Sequence, residues 1–252
     1  MNWLRLPYSI YIIVVLFALL PLQVVIYIFI KLLIPYPKQI YWAHKANRMM
    51  FLIWSAFTGF RYKIRGVENI DPDQTYIVIC NHSNLADLAA SAYGIQVSAK
   101  PLVKKELLKI PLLGQLFAMA SVPVDRKDEA ARKKSMEVMR REIKQYISLI
   151  IFPEGTRNRT DQPLKAFHNG AFALSLETGT PILPVIFTNL RQMSSAESIL
   201  LRPWTIEATH LPPVDPKNFD SNDLEGYKQA IFKMMWNYIV DHDREFAGRE
   251  KM

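Results

Sequence analysis

A histidine and an aspartate five residues apart have the residue types that acid–base chemistry requires. They are His82 and Asp87, in the segment 81–87, which reads NHSNLAD. A neutral histidine can remove a proton from a hydroxyl group when a carboxylate holds its other ring nitrogen. On one continuous helix the two side chains would point about 140° apart, because the helix has 3.6 residues per turn. They can converge if His82 lies on a turn and Asp87 in the helix that follows; otherwise His82 is a hydrogen-bonded turn residue.

A second polar segment, residues 152–157, reads FPEGTR and has the residue types of an anion site. Its glycine, Gly155, lets the backbone approach a ligand closely. Arginine binds phosphate through a planar fork and stays charged at physiological pH, which makes Arg157 a candidate ligand. Glu154 and Thr156 complete the segment. The alternative is a surface pair of Glu154 with Arg157 at a strand end, which would contribute little to stability.

Basic residues elsewhere in the chain can add positive potential to the same site. The candidates are Lys104, Lys105, Arg126 and Lys127. A solvated charged face is the alternative for each of them, and we prefer that interpretation for Lys127 and for the two lysines at 133–134.

Both polar segments follow apolar runs that have the length of buried strands, at residues 76–80 and 148–152. Further strands are predicted at 61–65, 122–124, 181–188 and 204–210, and helices within 81–92, 107–119, 128–146, 171–178 and 224–242. This alternation predicts an α/β fold, with helices covering a mixed or mainly parallel sheet. In such sheets ligands bind at the carboxyl ends of the strands, so we expect the two polar segments to form one site.

The N-terminal part of the chain has the composition of a membrane element. No charged residue occurs from Pro7 to Ile30, and this stretch exceeds the ~20 residues that a spanning helix needs. Pro21 near its middle predicts a kink, which also suits a segment that enters one leaflet and returns. Both dispositions remain open. Lysine and arginine are more frequent after the apolar run than before it, which predicts a catalytic domain on the cytoplasmic face.

Residues 41–60 interleave aromatic with basic side chains. This pattern is typical of a helix at the level of the lipid headgroups, and a core helix of the soluble domain is the alternative. We therefore predict a membrane-associated helical segment at 1–60 and a catalytic domain at 61–252.

The net charge of +8 indicates an anionic partner: nucleic acid, a phosphorylated metabolite or an anionic lipid surface. The apolar N-terminus favours the membrane bilayer and argues against nucleic acid. A single cysteine, Cys80, excludes an intramolecular disulfide and a cysteine-based zinc cage, so we expect a reducing compartment and no metal. A covalent acyl-cysteine at Cys80 is conceivable, although a cysteine in an apolar strand is usually inert.

The polar segments resemble the signature blocks of the glycerolipid acyltransferase family. Segment 81–87 is similar to its His-x4-Asp signature, and segment 152–157 matches its second signature residue for residue. Residues 124–126 (VDR) resemble the arginine-bearing block between them, and residues 181–185 (PILPV) resemble the proline block after them. The blocks occur in the family's order, over about residues 60–190. The most similar subgroup is 1-acylglycerol-3-phosphate acyltransferase, also called lysophosphatidic acid acyltransferase.

This resemblance implies that a fatty acyl group passes from acyl-CoA or acyl-carrier protein to the sn-2 hydroxyl of 1-acyl-sn-glycerol-3-phosphate, giving phosphatidic acid. It implies no metal and no tightly bound cofactor. His82 would be the general base and Asp87 the residue that orients it. The acceptor-binding residues would be Lys104, Arg126, Glu154, Gly155, Thr156 and Arg157.

Two departures from the family's pattern concern the acceptor. Ala120 stands where many members have glycine, with Pro123 at a position that is often aromatic, and His168 stands where lysine often occurs. Another lysophospholipid acceptor is therefore an alternative. A non-catalytic protein that binds lipid surfaces is a second alternative, from a different functional class.

Overall fold

The computed structural model describes residues 5–83, 87–125, 128–193 and 200–252. Within these ranges the strands are β1 (Arg61–Arg65), β2 (Ile77–Cys80), β3 (Ala99–Lys104), β4 (Val122–Val124), β5 (Ser148–Ile151), β6 (Ile182–Thr188) and β7 (Thr205–His210). The α-helices are α1 (Arg5–Leu33), α2 (Lys38–Thr58), α3 (Asp87–Gly94), α4 (Leu113–Ala120), α5 (Glu129–Lys144), α6 (Gly170–Thr178), α7 (Leu190–Met193) and α8 (Leu224–His242). Short 3-10 turns occur at Val67–Asn69, Lys105–Lys109 and Pro216–Asn218.

The strands form one mixed sheet in the order β1-β7-β6-β2-β5-β3-β4. Neighbouring strands are parallel, except that β6 and β7 are antiparallel. β2 lies near the centre, between β6 and β5. Because β2, β5, β3 and β4 run the same way, the segments that follow them emerge at one edge of the sheet.

Both faces of the sheet are covered, as the apolar strands predicted. Side chains of β2 alternate between two cores, since successive residues of a strand point to opposite faces. Ile77 and Ile79 pack with α5, α6 and α8, whereas Val78 and Cys80 pack with α1, α2 and α3. The predicted fold class is confirmed: an α/β domain with a mixed sheet covered by helices.

One strand was missed from the sequence. β3 was not predicted because Lys100 and Pro101 interrupt its apolar pattern. Lys100 is nevertheless 7% exposed, because its Nζ lies 3.0 Å from Oε2 of Glu142 on α5, which is itself buried. The ion pair allows a lysine to lie in the interior, so the burial of β3 depends on a residue distant in sequence.

The two N-terminal helices form an antiparallel hairpin. The phenol of Tyr8 donates to the carbonyl of Thr58 at 2.6 Å, and the indole Nε1 of Trp54 donates to the carbonyl of Ile12 at 3.1 Å. α1 continues through Pro21 as one helix of 29 residues. Within the described residues it is the one helix long and apolar enough to cross a membrane.

The hairpin packs on the α/β domain along much of its length. Near the start of α1, the amide of Leu201 donates to the hydroxyl of Ser9 at 2.8 Å. Near its end, Tyr27 and Ile30 pack against α4. α2 buries one face, with Met50 and Trp54 inside, and exposes the aromatic and apolar side chains of the other. It therefore has both features that the sequence indicated, a core face and an exposed aromatic face.

Candidate active site

His82 and Asp87 lie on different elements, so they need not be on one helix face. His82 occupies the turn after β2, and Asp87 is the first residue of α3. Nδ1 of His82 lies 2.5 Å from Oδ2 of Asp87. Because an ionised carboxylate only accepts hydrogen bonds, Nδ1 carries the proton and Nε2 is the basic nitrogen. The side chain of His82 is 25% exposed and that of Asp87 is 1% exposed, so the base faces solvent and its partner does not.

Asp87 is held in place by the turn that precedes it. The amide of Ser83 donates to Oδ2 at 2.6 Å, and the hydroxyl of Ser83 lies 3.3 Å from Oδ1. Its position at the start of α3 also favours a negative charge, because the helix dipole is positive there. These contacts fix the carboxylate that orients His82.

Glu154 is buried behind His82 and does not face the solvent. Its Oε1 accepts the amide of His82 at 2.7 Å, and its Oε2 accepts the amide of Lys165 at 3.0 Å. Burial raises the pKa of Glu154 to about 7, although the two amide hydrogen bonds oppose that shift. At 2% exposure the carboxylate has little surface for an acceptor molecule. The expectation that Glu154 contacts the acceptor does not fit this geometry.

The rest of the second segment forms the turn beside His82. Gly155 has a φ of +71°, a left-handed conformation that favours glycine, and its amide donates to the carbonyl of Phe152 at 3.0 Å. Thr156 is exposed and Arg157 is half-buried. No ion pair of Arg157 is seen within the described part of the chain. The surface Glu154–Arg157 pair, which was the alternative for this segment, therefore does not form.

Lys104 is the exposed last residue of β3, at the same edge of the sheet. β5 separates β3 from β2, which places the two strands about 10 Å apart at the usual strand spacing. Nζ of the neighbouring Lys105 lies 3.9 Å from Oδ2 of Asp125, so part of its charge is balanced. Arg126 and Lys127 lie outside the described residues.

Two residues near the site were not recognised from the sequence. The ring of Phe152 packs on the imidazole of His82, with 4.7 Å between the ring centroids. Nζ of Lys165 donates to the hydroxyl of Thr156 at 2.7 Å, which adds a cation beside the second segment. Phe152 belongs to the second signature segment, but its packing on His82 was not predicted, whereas Lys165 lies outside the signature blocks. His168 is exposed and its backbone amide donates to the carbonyl of Pro153.

Cys80 is two residues before His82 but is completely buried. Burial raises the pKa of its thiol well above the usual range, and the nearby Asp87 carboxylate adds to the effect. The thiolate is the nucleophilic form of cysteine, so this environment argues against an acyl-cysteine intermediate.

A histidine–carboxylate pair at the edge of a mixed α/β sheet, next to basic residues, is an arrangement suited to transfer onto a hydroxyl group. The protein family described as acyltransferase matches residues 61–188, just over half of the chain. The chain belongs to this acyltransferase family, which confirms the resemblance drawn from the signature blocks.

Two relatives of known name indicate a subgroup within this family. The 1-acyl-sn-glycerol-3-phosphate acyltransferase of Cocos nucifera is 29% identical over 82% of this chain and 66% of its own length. The chain thus spans slightly less than two thirds of that relative. The protein of the same name from Salmonella typhimurium is 32% identical over 76% of this chain and 78% of its own length.

A solved structure has the same fold. The crystal structure of the 1-acyl-sn-glycerophosphate acyltransferase PlsC from Thermotoga maritima aligns with a TM-score of 0.82, at 19% identity. The alignment covers 96% of this chain and 99% of that one, so it includes most of the N-terminal hairpin.

Proposed function

We propose that the protein transfers a fatty acyl group from acyl-CoA or acyl-carrier protein to the sn-2 hydroxyl of 1-acyl-sn-glycerol-3-phosphate, producing phosphatidic acid. The hydrogen bond between His82 and the buried Asp87 carries this proposal, because it leaves Nε2 as the basic nitrogen of a side chain that is 25% exposed. The identity of the proposed acceptor comes from the names of the relatives.

The reaction is a direct transfer. Nε2 of His82 takes the hydroxyl proton while the hydroxyl oxygen attacks the thioester carbonyl, and the Asp87 carboxylate stabilises the resulting imidazolium. Collapse of the tetrahedral intermediate breaks the carbon–sulfur bond, and His82 returns the proton to the departing thiolate. The oxygen–acyl bond replaces the sulfur–acyl bond, so no redox partner is needed. The thioester is a co-substrate, and no cofactor takes part.

The acceptor phosphate binds at the carboxyl edge of the sheet. Arg157 offers a guanidinium fork, Thr156 a hydroxyl, and Lys104 an ammonium group from β3. Arg126 belongs to the same set by sequence. Gly155 permits the tight turn that presents Arg157. We assign Glu154 to holding the backbone of His82 rather than to touching the phosphate.

The hairpin of α1 and α2 is the proposed membrane element, with the catalytic domain on the cytoplasmic face. Apolar side chains line the outward face of α1, among them Val14 at 59% and Phe29 at 57% exposed. Because α1 packs on the domain both near Ser9 and near Tyr27, it lies along the domain, and this supports insertion into one leaflet over spanning.

Transfer of a labelled acyl group to 1-acyl-sn-glycerol-3-phosphate tests the proposal. Detergent-purified wild type and His82→Ala would be compared, with CoA and carrier-protein thioesters as donors. We expect product from the wild type and a loss of at least about a hundredfold in the variant. His242→Ala is the matched control, because His242 is an exposed histidine at the end of α8.

Each other outcome identifies an alternative. Activity with a different lysophospholipid would keep the mechanism and replace the acceptor. Inactivity with every lysolipid, together with vesicle binding unaffected by His82→Ala, would favour the non-catalytic lipid-binding protein.

A further inference from the structure

A short loop directly after Arg157 is organised around a buried asparagine. Oδ1 of Asn158 accepts the amide of Thr160 at 3.0 Å and its hydroxyl at 2.6 Å. Nδ2 of Asn158 donates to the carbonyl of Gln162 at 2.9 Å. Asn158 is 1% exposed, although the residues that follow it are on the surface. The loop, residues 158–162, is therefore closed on itself by one side chain.

This loop also fixes the backbone of the proposed base. The amide of Asn158 donates to the carbonyl of His82 at 2.7 Å, while the amide of His82 donates to Glu154. Both polar groups of the His82 peptide backbone are thus held by residues 154–158. A displacement of the loop would move His82 relative to Asp87, and would move Arg157, which lies between the two contacts.

Arg191 holds the loop from outside. It lies on α7, directly beyond the end of β6. Its Nη1 donates to the carbonyl of Thr160 at 2.6 Å, and its Nη2 lies 3.2 Å from the carbonyl of Asn158 and 3.5 Å from that of Gln162. Three carbonyls of one loop converge on one guanidinium, whose planar set of donors suits such a cluster.

Contacts with Phe246 and Glu245 also hold the guanidinium of Arg191 in place. It stacks over the ring of Phe246, 5.2 Å from the centroid, and its side chain is 13% exposed. Its Nη1 also lies 3.3 Å from Oε1 of Glu245, a carboxylate that is 36% exposed. Among the described residues, three of the four hydrogen bonds of the guanidinium go to uncharged backbone oxygens. The position of Arg191 therefore serves the loop more than an ion pair.

We propose that Arg191 is a positioning residue for the transfer reaction: it clamps the loop at residues 158–162, and through Asn158 and Arg157 it sets the base and the acceptor phosphate site. This role rests on the proposed function. Because Glu154 holds the amide of His82 independently, we expect loss of Arg191 to loosen the backbone of His82 without releasing it completely.

The kinetic test compares Arg191→Met with Glu245→Gln. Arg191→Met keeps an apolar chain against Phe246 and removes every hydrogen-bond donor that Arg191 contributes to the loop. Glu245→Gln removes only the exposed ion pair. We expect kcat/KM for the acceptor to fall at least about tenfold in Arg191→Met, since small displacements of reacting groups are costly. The KM for the acyl donor should be unchanged, and Glu245→Gln should match the wild type. Arg191→Lys, which supplies ammonium donors without the fork, should recover part of the loss.

Amide hydrogen exchange gives a readout that does not depend on activity. In the wild type the amides of Asn158, Thr160 and Gln162 should be protected, because each donates a hydrogen bond. Arg191→Met should speed the exchange of these three amides at least about tenfold while that of α8 stays unchanged. If Arg191→Met is too unstable to purify, Arg191→Lys takes its place in both experiments, and smaller effects in the same direction are expected. If the wild type is inactive, the proposed function is wrong. Faster exchange of the loop amides in Arg191→Met would then still show that Arg191 clamps the loop. Unchanged exchange in an active variant, or equal losses in Arg191→Met and Glu245→Gln, would overturn it.

Discussion

At the scale of single residues, the pairing of His82 with Asp87 depends on a carboxylate that only accepts hydrogen bonds. Asp87→Asn supplies an amide NH₂ group that can donate to Nδ1, which would shift the imidazole proton to Nε2 and block the base. We expect kcat for acyl transfer to fall by at least about a hundredfold in the folded variant.

Ser83→Ala is the control for this prediction. It removes the hydroxyl contact to Oδ1 of Asp87, at 3.3 Å, but keeps the amide contact at 2.6 Å. Its kcat should stay close to that of the wild type. A fully active Asp87→Asn enzyme would show that Asp87 is only structural.

The raised pKa of Glu154 predicts that the free energy of unfolding depends on pH. Its folded-state pKa is raised to about 7 from 4.5, mainly by burial, so the folded state binds the proton more tightly than the unfolded state. The stabilisation from this proton is fully present below about pH 4.5 and is lost as the pH rises to about 7. The difference is about 3 kcal/mol, from 1.36 kcal/mol for each pKa unit.

Glu154→Gln removes this titration. Unfolding by urea at a series of pH values should show that the wild-type protein loses stability, relative to Glu154→Gln, between about pH 4.5 and 7. A stability difference that stays constant over this range would contradict the raised pKa. Because an amide can accept only one of the two backbone hydrogen bonds, the variant should also lose activity.

At the scale of elements, β3 and α5 are joined by a buried ion pair that also reaches the α1–α2 turn. Lys100 pairs with Glu142, and the phenol of Tyr36 donates to the same carboxylate. Lys100→Met leaves the Glu142 carboxylate buried without its cation, so we expect a loss of about 3–5 kcal/mol in the free energy of unfolding.

The double variant Lys100→Met/Glu142→Met separates charge from packing. Replacing both members with apolar side chains removes the uncompensated charge, so most of the stability should return. Chemical denaturation of the wild type and both variants measures the difference. A double variant as unstable as the single one would indicate that the two residues act by packing alone.

At the scale of the whole molecule, the α1–α2 hairpin and α3 cover the same face of the sheet. Asp87 begins α3, so the proposed membrane element and the histidine–aspartate pair share one side of the domain. Such an arrangement suits lipid substrates, because the acceptor need not leave the membrane surface completely.

Vesicle flotation tests this element. Replacing Val14 and Phe29 with glutamate places two charges on the outward face of α1, and binding to vesicles of phosphatidylcholine and phosphatidylglycerol should fall at least about tenfold. Val67→Glu is the control, because Val67 is 44% exposed but lies on a 3-10 turn of the α/β domain. Equal binding by all three proteins would place the membrane contact elsewhere.

The sequence by itself determined the features that depend on short stretches of chain. Apolar runs located β2 and β5, and the bounds of β1, β4 and α8 were predicted without error. The signature blocks indicated the acyltransferase family, which the family match confirms. Local patterns suffice here because strand and helix periodicity and motif spacing are written in consecutive residues.

Only the tertiary structure decided the features that depend on residues distant in sequence. Lys100 of β3 can be buried because Glu142 pairs with it. Glu154 is turned inward to the amides of His82 and Lys165, and Arg191 reaches a loop about thirty residues before it. Whether a polar side chain faces a ligand or the protein interior depends on what the fold places around it. Desolvation and hydrogen bonding act through space, so no local pattern could assign these roles.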